Sequence, residues 1–395
     1  VVEHQNYDLV VFSHLRWEFV TQRPQHILKR LARHGHQILF VEEAIPFSES
    51  DRGTARVFAA DDHINVLQPK VESKSYEQEV YPLIRSQMDQ LGLKNVVLWF
   101  YSAFFEEFTE LIDHQLVVYD CMDELSAFAG AAPELIKKEK KLFKKTDVVF
   151  TGGKSLFESK KKHHRQVYCF PSSVDEKDFR LARLTSTQVP EDLANIPGPR
   201  VGFYGVIDER VDLELLEQVA RKLPKIAFVM IGPVVKIQPE LLPRLKNIHY
   251  LGAKSYQDLP AYLKGIDIAM MPFALNKSTQ FISPTKTLEF MAANKPIIST
   301  PIYDVRRDYS QEVKVVSGVK EFVSAVEDFL AEKNLQRRVR EKKQELVIKK
   351  TSWDLTVQKM EEIMDQKISP NLPSSLDSYS LPIKSKTTLS IDPVI

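Results

Sequence analysis

Glycine is scarce in this chain: 13 residues in 395, about half the usual share. No GxGxxG and no GxxxxGKS or GxxxxGKT can be drawn through them. A dinucleotide fingerprint and a P-loop are therefore excluded as written, and any phosphate binding has to work without a glycine-rich cradle. Cysteine is scarcer still. Cys121 and Cys169 offer neither metal spacing nor a disulfide framework. No apolar run approaches the roughly 20 residues of a membrane span; Val96–Phe105, strand-like in its first half, contains Ser102. Excess charge is also missing. With 54 Lys+Arg against 53 Asp+Glu the net charge is +1, which argues against a polyanion such as duplex DNA as partner. No basic segment followed by an apolar one opens the chain at Val1-Val2-Glu3-His4. No signal peptide is visible, and a cytoplasmic placement is expected; the missing initiator Met marks a start that can have been trimmed.

What is present is a globular composition, 43% hydrophobic and 27% charged. A chain of 395 residues exceeds what one core usually serves, so two domains are expected. Short apolar runs alternate with amphipathic stretches. Asp8–Phe12, Gln37–Val41, Asn95–Phe100, Leu116–Tyr119, Val148–Thr151 and Gln166–Phe170 read as strands. Arg23–His34 and Pro133–Lys145 read as helices. The pattern breaks around Pro190, Pro197, Gly198 and Pro199, then restarts with strands at Val201–Tyr204, Ala227–Ile231, Ile248–Leu251, Ile266–Met271 and Pro296–Ser299. This alternation predicts an α/β protein of two Rossmann-like parallel-sheet domains facing a cleft. The expected divisions are 1–185, a linker at 186–199, 200–350, a closing helix at 351–365, and a disordered Ser/Pro-rich tail at 366–395. Ligands of such sheets bind outside the strand C-termini.

The sharpest motif is Ser283-Pro284-Thr285-Lys286-Thr287-Leu288-Glu289-Phe290. Ser283 fits an N-cap and Pro284 the first helical position. The N–H groups near Thr285 and Lys286 would then face outward and receive phosphate, with Lys286 adding a full charge. Glu289, three residues on, shares that helix face and can accept hydrogen bonds from two vicinal hydroxyls. The plain alternative is a capped helix with one solvent ion pair.

With the preceding strand Ile266–Phe273, this segment resembles the donor-nucleotide site of GT-B glycosyltransferases. The closest likeness is to the large retaining family 4, or group 1, that includes sucrose synthase and many bacterial polysaccharide enzymes. The family pattern reads roughly SPxKxxEYxAxGKPVVST; here Ser283 to Thr300 reads SPTKTLEFMAANKPIIST. The likeness extends to Val201–Arg210, Val118–Glu124 and Gln22–His26, and covers nearly the whole chain to about residue 365. It is strongest toward enzymes of the teichuronic-acid and capsule type.

The resemblance implies a glycosyltransferase that moves a sugar from a nucleotide-diphosphate sugar to a saccharide or lipid-linked acceptor, with retention and without a required metal or other cofactor. Glu289 would hold the ribose, the backbone at Thr285 and Lys286 would meet the diphosphate, and Ser283 would belong to the donor-binding set. Gly205 would let the chain approach the donor closely. Arg210 stands near a phosphate-clamping basic residue of the family, or is a solvated loop charge. Where the family often has a second Glu contacting the sugar, this chain has Phe281. The sugar contact would then fall to backbone, Asn276, Ser278, Thr279 or Gln280, or be absent.

In the N-terminal half, Asp120 and Asp123 follow a strand at the expected cleft edge. Either could steady a partly positive sugar carbon, or cap the next segment. His14, Arg16, Trp17 and Arg23 are the acceptor-side candidates. Trp17 would stack on a sugar and Arg16 or Arg23 would bind an acceptor phosphate; the alternative for Trp17 is packing between loop and helix. Lys137, Lys138, Lys140, Lys141, Lys144 and Lys145 form a cationic helix face. It is either a peripheral contact with an anionic inner membrane surface or a solvated face. Nothing suggests nucleic-acid recognition. Two other classes share the architecture: a nucleotide-sugar epimerase and a non-catalytic two-lobed binding protein.

Overall fold

The computed structural model describes residues 6–72, 76–128 and 130–370. Among them the N-terminal sheet contains β1 (Leu9–Ser13), β2 (Ile38–Glu42), β3 (Thr54–Asp61), β4 (Ile64–Lys70), β5 (Val97–Phe100), β6 (Leu116–Cys121), β7 (Val148–Thr151) and β8 (Val167–Cys169). Their order is β3-β4-β2-β1-β5-β6-β7-β8. All neighbours pair in parallel except the β3–β4 hairpin. The second sheet contains β9 (Arg200–Tyr204), β10 (Ala227–Ile231), β11 (Ile248–Gly252), β12 (Ile268–Met271), β13 (Ile297–Ser299) and β14 (Lys314–Val315), in the order β11-β10-β9-β12-β13-β14. Every pairing there is parallel. Two parallel sheets in an α/β chain match the fold class read from the sequence.

Parallel strands covered on both faces read as continuous apolar runs. β1, Leu-Val-Val-Phe-Ser, is buried at every residue. Its side chains alternate between two cores: Leu9 and Val11 join Ile38 and Phe40 on one face, while Val10 and Phe12 join Leu39 and Val41 on the other. The first core also takes in Ile27, Leu28 and Leu31 of the Arg23–Arg33 helix, and Trp353, Val357, Met360 and Met364 of the Trp353–Ile368 helix. The second takes in Val80, Ile84 and Met88 of the Tyr76–Leu91 helix.

The structure departs from the sequence reading in several places. The β3–β4 hairpin and the Tyr76–Leu91 helix were not read. β6 runs two residues further than expected and carries Asp120 and Cys121 within the strand. The stretch read as a linker is packed: Leu193 and Ile196, with Val174, Phe179 and Ala182 before them, belong to the C-terminal core. The last helix extends to Ile368, three residues into the expected tail; the tail from 371 onward lies outside the described residues.

The chain crosses between domains twice, around 170–174 and again around 349–352, so the Trp353–Ile368 helix covers the N-terminal sheet. Side chains also join the domains directly. Buried Asp304 accepts hydrogen bonds from the backbone N–H and the hydroxyl of Ser155, and Lys154 pairs with Asp308 at 2.6 Å. No helix among the described residues is long and apolar enough to cross a membrane.

Candidate active site

The C-terminal ends of both sheets open onto one cavity of about 420 Å³. Its floor in the C-terminal domain is backbone. Gly205 follows β9 with φ +134°, and Gly232 follows β10 with φ +144°. A Cβ on Gly232 would lie 1.9 Å from the Gly205 carbonyl oxygen, and one on Gly205 3.0 Å from Cε of Lys286. Only glycine fits this crossing.

The Lys286–Ala292 helix rises behind that floor. It starts two residues later than expected: Thr285 occupies the N-cap without a side-chain bond. The Ser283 carbonyl instead accepts from Ser172 Oγ at 2.8 Å, and Thr285 Oγ1 donates to the same Ser172 oxygen at 3.1 Å. Ser283 and Thr285 thus tie the domains together at the cavity wall. With seven residues this helix brings too short a dipole to bind phosphate alone, so the anion-binding weight shifts to side chains.

Lys286 is the first of these. Its Nζ lies over Phe203 and Phe273, 5.6 and 5.4 Å from the ring centroids. Burial lowers its pKa to about 8, against the pull of Glu289. It forms no ion pair among the described residues, which leaves a desolvated cation facing the cavity. Glu289 lies beside it and is 3% exposed. One carboxylate oxygen accepts the Tyr204 hydroxyl and the other the Tyr256 hydroxyl at 2.9 Å. Burial raises its pKa, while those hydroxyls, His26 and Lys286 oppose the shift. Arg210 grips Asp208 bidentately, with Nη2 to Oδ2 at 2.7 Å and Nε to Oδ1 at 3.0 Å. It also lies 5.5 Å from the ring centroid of Phe128 in the other domain. Gly205, Arg210, Ser283, Thr285, Lys286 and Glu289 all line the cavity.

The N-terminal side is arranged differently from the expectation. Asp120 is fully buried and does not line the cavity. Within β6 its two oxygens receive Arg23 Nε at 3.0 and 2.9 Å. Arg23 Nη1 donates to the Phe170 carbonyl at 2.8 Å, whereas Nη2 is buried without a partner among the described residues. Arg23 lines the cavity, so Asp120 holds the guanidinium that faces it. Asp123 does line the cavity. Burial raises its pKa to about 6, and nearby Asp208 adds to the rise against the opposing pull of Arg210.

Of the acceptor-side candidates, Arg16 and His14 lie outside the cavity lining. Arg16 is fixed to Glu42 at 3.1 Å and to the Glu43 and Ala44 carbonyls. His14 has a buried Nδ1 with no partner, and burial lowers its pKa to about 4. Trp17 reaches the cavity wall but is 9% exposed, edge-on to Phe40 at 5.1 Å. The accessible aromatic is Phe19, 47% exposed, which the sequence reading missed.

His26 and Tyr256 were missed as well. His26 pairs with Asp175 at 3.1 Å, stacks on Trp353 at 4.8 Å, and meets the Tyr256 ring edge-on at 5.1 Å. Tyr256 in turn holds Glu289, so a chain of contacts joins the first helix to the buried carboxylate. The only sequence signal for these two was position: His26 lies one turn after Arg23, and Tyr256 follows the end of β11.

Phe281 turns away from the cavity and packs against the N-terminal core. Asn276, Ser278 and Thr279 bond among themselves and, like Gln280, do not line the cavity. The side chains of that loop therefore lie outside the cavity lining. In the lysine-rich helix, Lys138 pairs with Glu77, Lys141 with Glu106, and Lys145 with Glu106 and Glu110. Lys137, Lys140 and Lys144 remain exposed. Among the described residues no three His, Cys, Asp or Glu side chains converge as metal ligands would.

Residues 210–362 match a family described as glycosyl transferase-like. A putative teichuronic acid biosynthesis glycosyltransferase, TuaH of Bacillus subtilis (strain 168), is 25% identical over 253 residues, 60% of this chain and 64% of the relative's length. The chain thus spans somewhat less than two thirds of that relative. Among solved structures, sucrose-phosphate synthase from Thermosynechococcus elongatus superposes with a TM-score of 0.71 at 13% identity, over 91% of this chain and 99% of that one. An E. coli trehalose-6-phosphate protein bound with UDP-2-fluoro glucose superposes with a TM-score of 0.64 at 12% identity, over 91% and 99%.

Proposed function

We propose that this chain, a GT-B glycosyltransferase of the group 1 type, transfers a sugar with retention from a nucleotide-diphosphate sugar to a saccharide or lipid-linked acceptor in cell-surface polysaccharide synthesis. One observation carries the reading: a desolvated lysine with no ion pair among the described residues, Lys286, stands near a buried carboxylate, Glu289, above a floor that only glycine can form. A cation in that state favours an anionic ligand, and the neighbouring carboxylate can take up a pair of ribose hydroxyls.

The reaction breaks the bond between the anomeric carbon and the diphosphate oxygen and forms one to an acceptor hydroxyl oxygen, whose proton passes to the departing diphosphate. Negative charge grows on the leaving diphosphate, where Lys286 and Arg210 stabilise it. Arg210 must share its guanidinium between Asp208 and the ligand. Positive charge grows at the anomeric carbon, toward which Asp123 presents a carboxylate from the other domain. Arg23 Nη2 and Phe19 form the acceptor side. With those side chains meeting the leaving group, no resident metal is required. The proposal includes a cytoplasmic placement and a peripheral contact with the inner membrane face through Lys137–Lys145, resting on exposed Lys137, Lys140 and Lys144.

Calorimetric titration with UDP-, GDP-, ADP- and dTDP-sugars tests the donor site. The parent chain should bind one class, and Glu289→Ala should abolish that binding; equal affinity in the variant overturns the assignment. Product analysis with and without acceptor separates transfer from epimerisation.

A further inference from the structure

Among the described residues, the Asn334–Ile348 helix leaves one face without a partner. Its inner face is anchored: Gln344 and Ile348 are fully buried, Gln344 Nε2 donates to the Lys295 carbonyl at 2.8 Å, and Arg340 Nη1 to that of Asn294 at 3.0 Å. The cations near that face are paired, Arg337 with Glu341 and Arg340 with Glu332, each at 2.9 Å. The outer face is the reverse. Leu335, Val339 and Leu346 are 75%, 51% and 54% exposed. At spacings of four and seven residues, with Lys342 between them, they form one stripe about 16 Å long. Exposed Arg338, Lys349 and Lys350 flank it; none of these, nor Lys342 within it, has an ion pair among the described residues.

Residues 333–350 carry eight Lys or Arg against two Glu, in a chain whose net charge is +1. An apolar stripe bordered by unpaired cations is the pattern of a helix that lies in a lipid interface. Charge complementarity selects anionic headgroups. We infer that the outer face of the Asn334–Ile348 helix docks the chain on an anionic lipid surface, with Leu335, Val339 and Leu346 entering the interface. This surface belongs to the C-terminal domain and is separate in the chain from the lysines at 137–145. A polyanion such as RNA would use the cations but gain nothing from the leucines. The inference does not depend on the reaction at the cleft, so the two can fail separately.

The test is flotation of the full chain with phosphatidylglycerol-containing vesicles and with phosphatidylcholine vesicles. Variants are Leu335→Ser/Val339→Ser/Leu346→Ser, Arg338→Gln/Lys342→Gln/Lys349→Gln/Lys350→Gln, and Lys137→Gln/Lys140→Gln/Lys144→Gln. The parent should bind only the anionic vesicles. The first two variants should each lose binding about tenfold at unchanged melting temperature, whatever share the third removes through the separate contact proposed at Lys137, Lys140 and Lys144. A loss below threefold in either of the first two, or no binding by the parent, overturns the inference. So does an apolar variant that binds vesicles like the parent while single-stranded RNA is retained through the cations alone.

Discussion

Arg23 donates from Nε to both oxygens of Asp120, at 3.0 and 2.9 Å, inside a pair that solvent hardly reaches. The carboxylate at the end of β6 is thus a support for a cavity-lining cation. Removing one partner of a buried pair strands the other. Asp120→Ala should cost about 3–5 kcal/mol in urea unfolding, and Asp120→Asn less, because an amide oxygen still accepts. If Asp120 instead acted on the sugar, Asp120→Asn would leave stability intact and depress kcat alone.

Asp123 offers a pH test. Its carboxyl is raised to about 6 in the folded chain from an ordinary 3.8. Below 3.8 both folded and unfolded forms are protonated and it contributes nothing. Between 3.8 and 6 the folded state holds a proton that the unfolded state releases, and above 6 the folded state carries a desolvated charge. Asp123→Asn should therefore stabilise the chain at pH 7, by up to about 3 kcal/mol, with the gain fading as pH falls through 6 toward 4. Melting curves at pH 4 and 7 check the sign; a destabilised variant at pH 7 would show that Arg210 and Lys286 outweigh the burial.

Lys286 gives a second profile. With its pKa lowered to about 8, the unliganded amine is charged below that pH and neutral above it. A diphosphate favours the charged form. Donor affinity should hold up to about pH 8 and then weaken, approaching tenfold per pH unit. Lys286→Met should bind weakly at every pH, with a flat profile over this range. A parent profile flat from pH 7 to 10 would remove the lysine from phosphate recognition.

Gly232→Ala should be among the most damaging single substitutions. Its Cβ would enter the Gly205 carbonyl at 1.9 Å from a residue at φ +144°, and neither backbone segment can yield without displacing its strand. A loss of at least about 3 kcal/mol is expected, read as a drop in the urea midpoint. Gly35→Ala is the comparison: its φ is +103° but nothing lies within 4 Å of the added carbon, so strain acts there without a clash.

The parallel strands were legible because burial on both faces writes uninterrupted apolar runs such as Leu9–Phe12 and Ile268–Met271. β3 left no such trace. Its residues are exposed or half-buried at the sheet edge, and Val57 and Phe58 follow Arg56 with no buried apolar run around them. The Tyr76–Leu91 helix holds its core contacts at Val80, Ile84 and Met88, too sparse a pattern in a polar stretch. Within the site, Lys286 and Glu289 were readable from local spacing. Asp120 was misplaced because the last residues of a buried strand can be polar when a partner 97 positions away, here Arg23, neutralises them. Trp17 and Phe19 show the same limit: two aromatics in one loop, and only the path of the chain decides which reaches solvent.

The return of the Trp353–Ile368 helix to the N-terminal sheet means that two covalent strands, not one, join the lobes. A single tether would let them swivel freely. A pair of crossings leaves rotation about the line between them, so opening and closing of the cleft should follow one angular coordinate. Trp353, the residue just past the second crossing, is fully buried and stacks on His26, which lines the cavity. A spin-label or fluorophore pair across the cleft should accordingly report one correlated distance change.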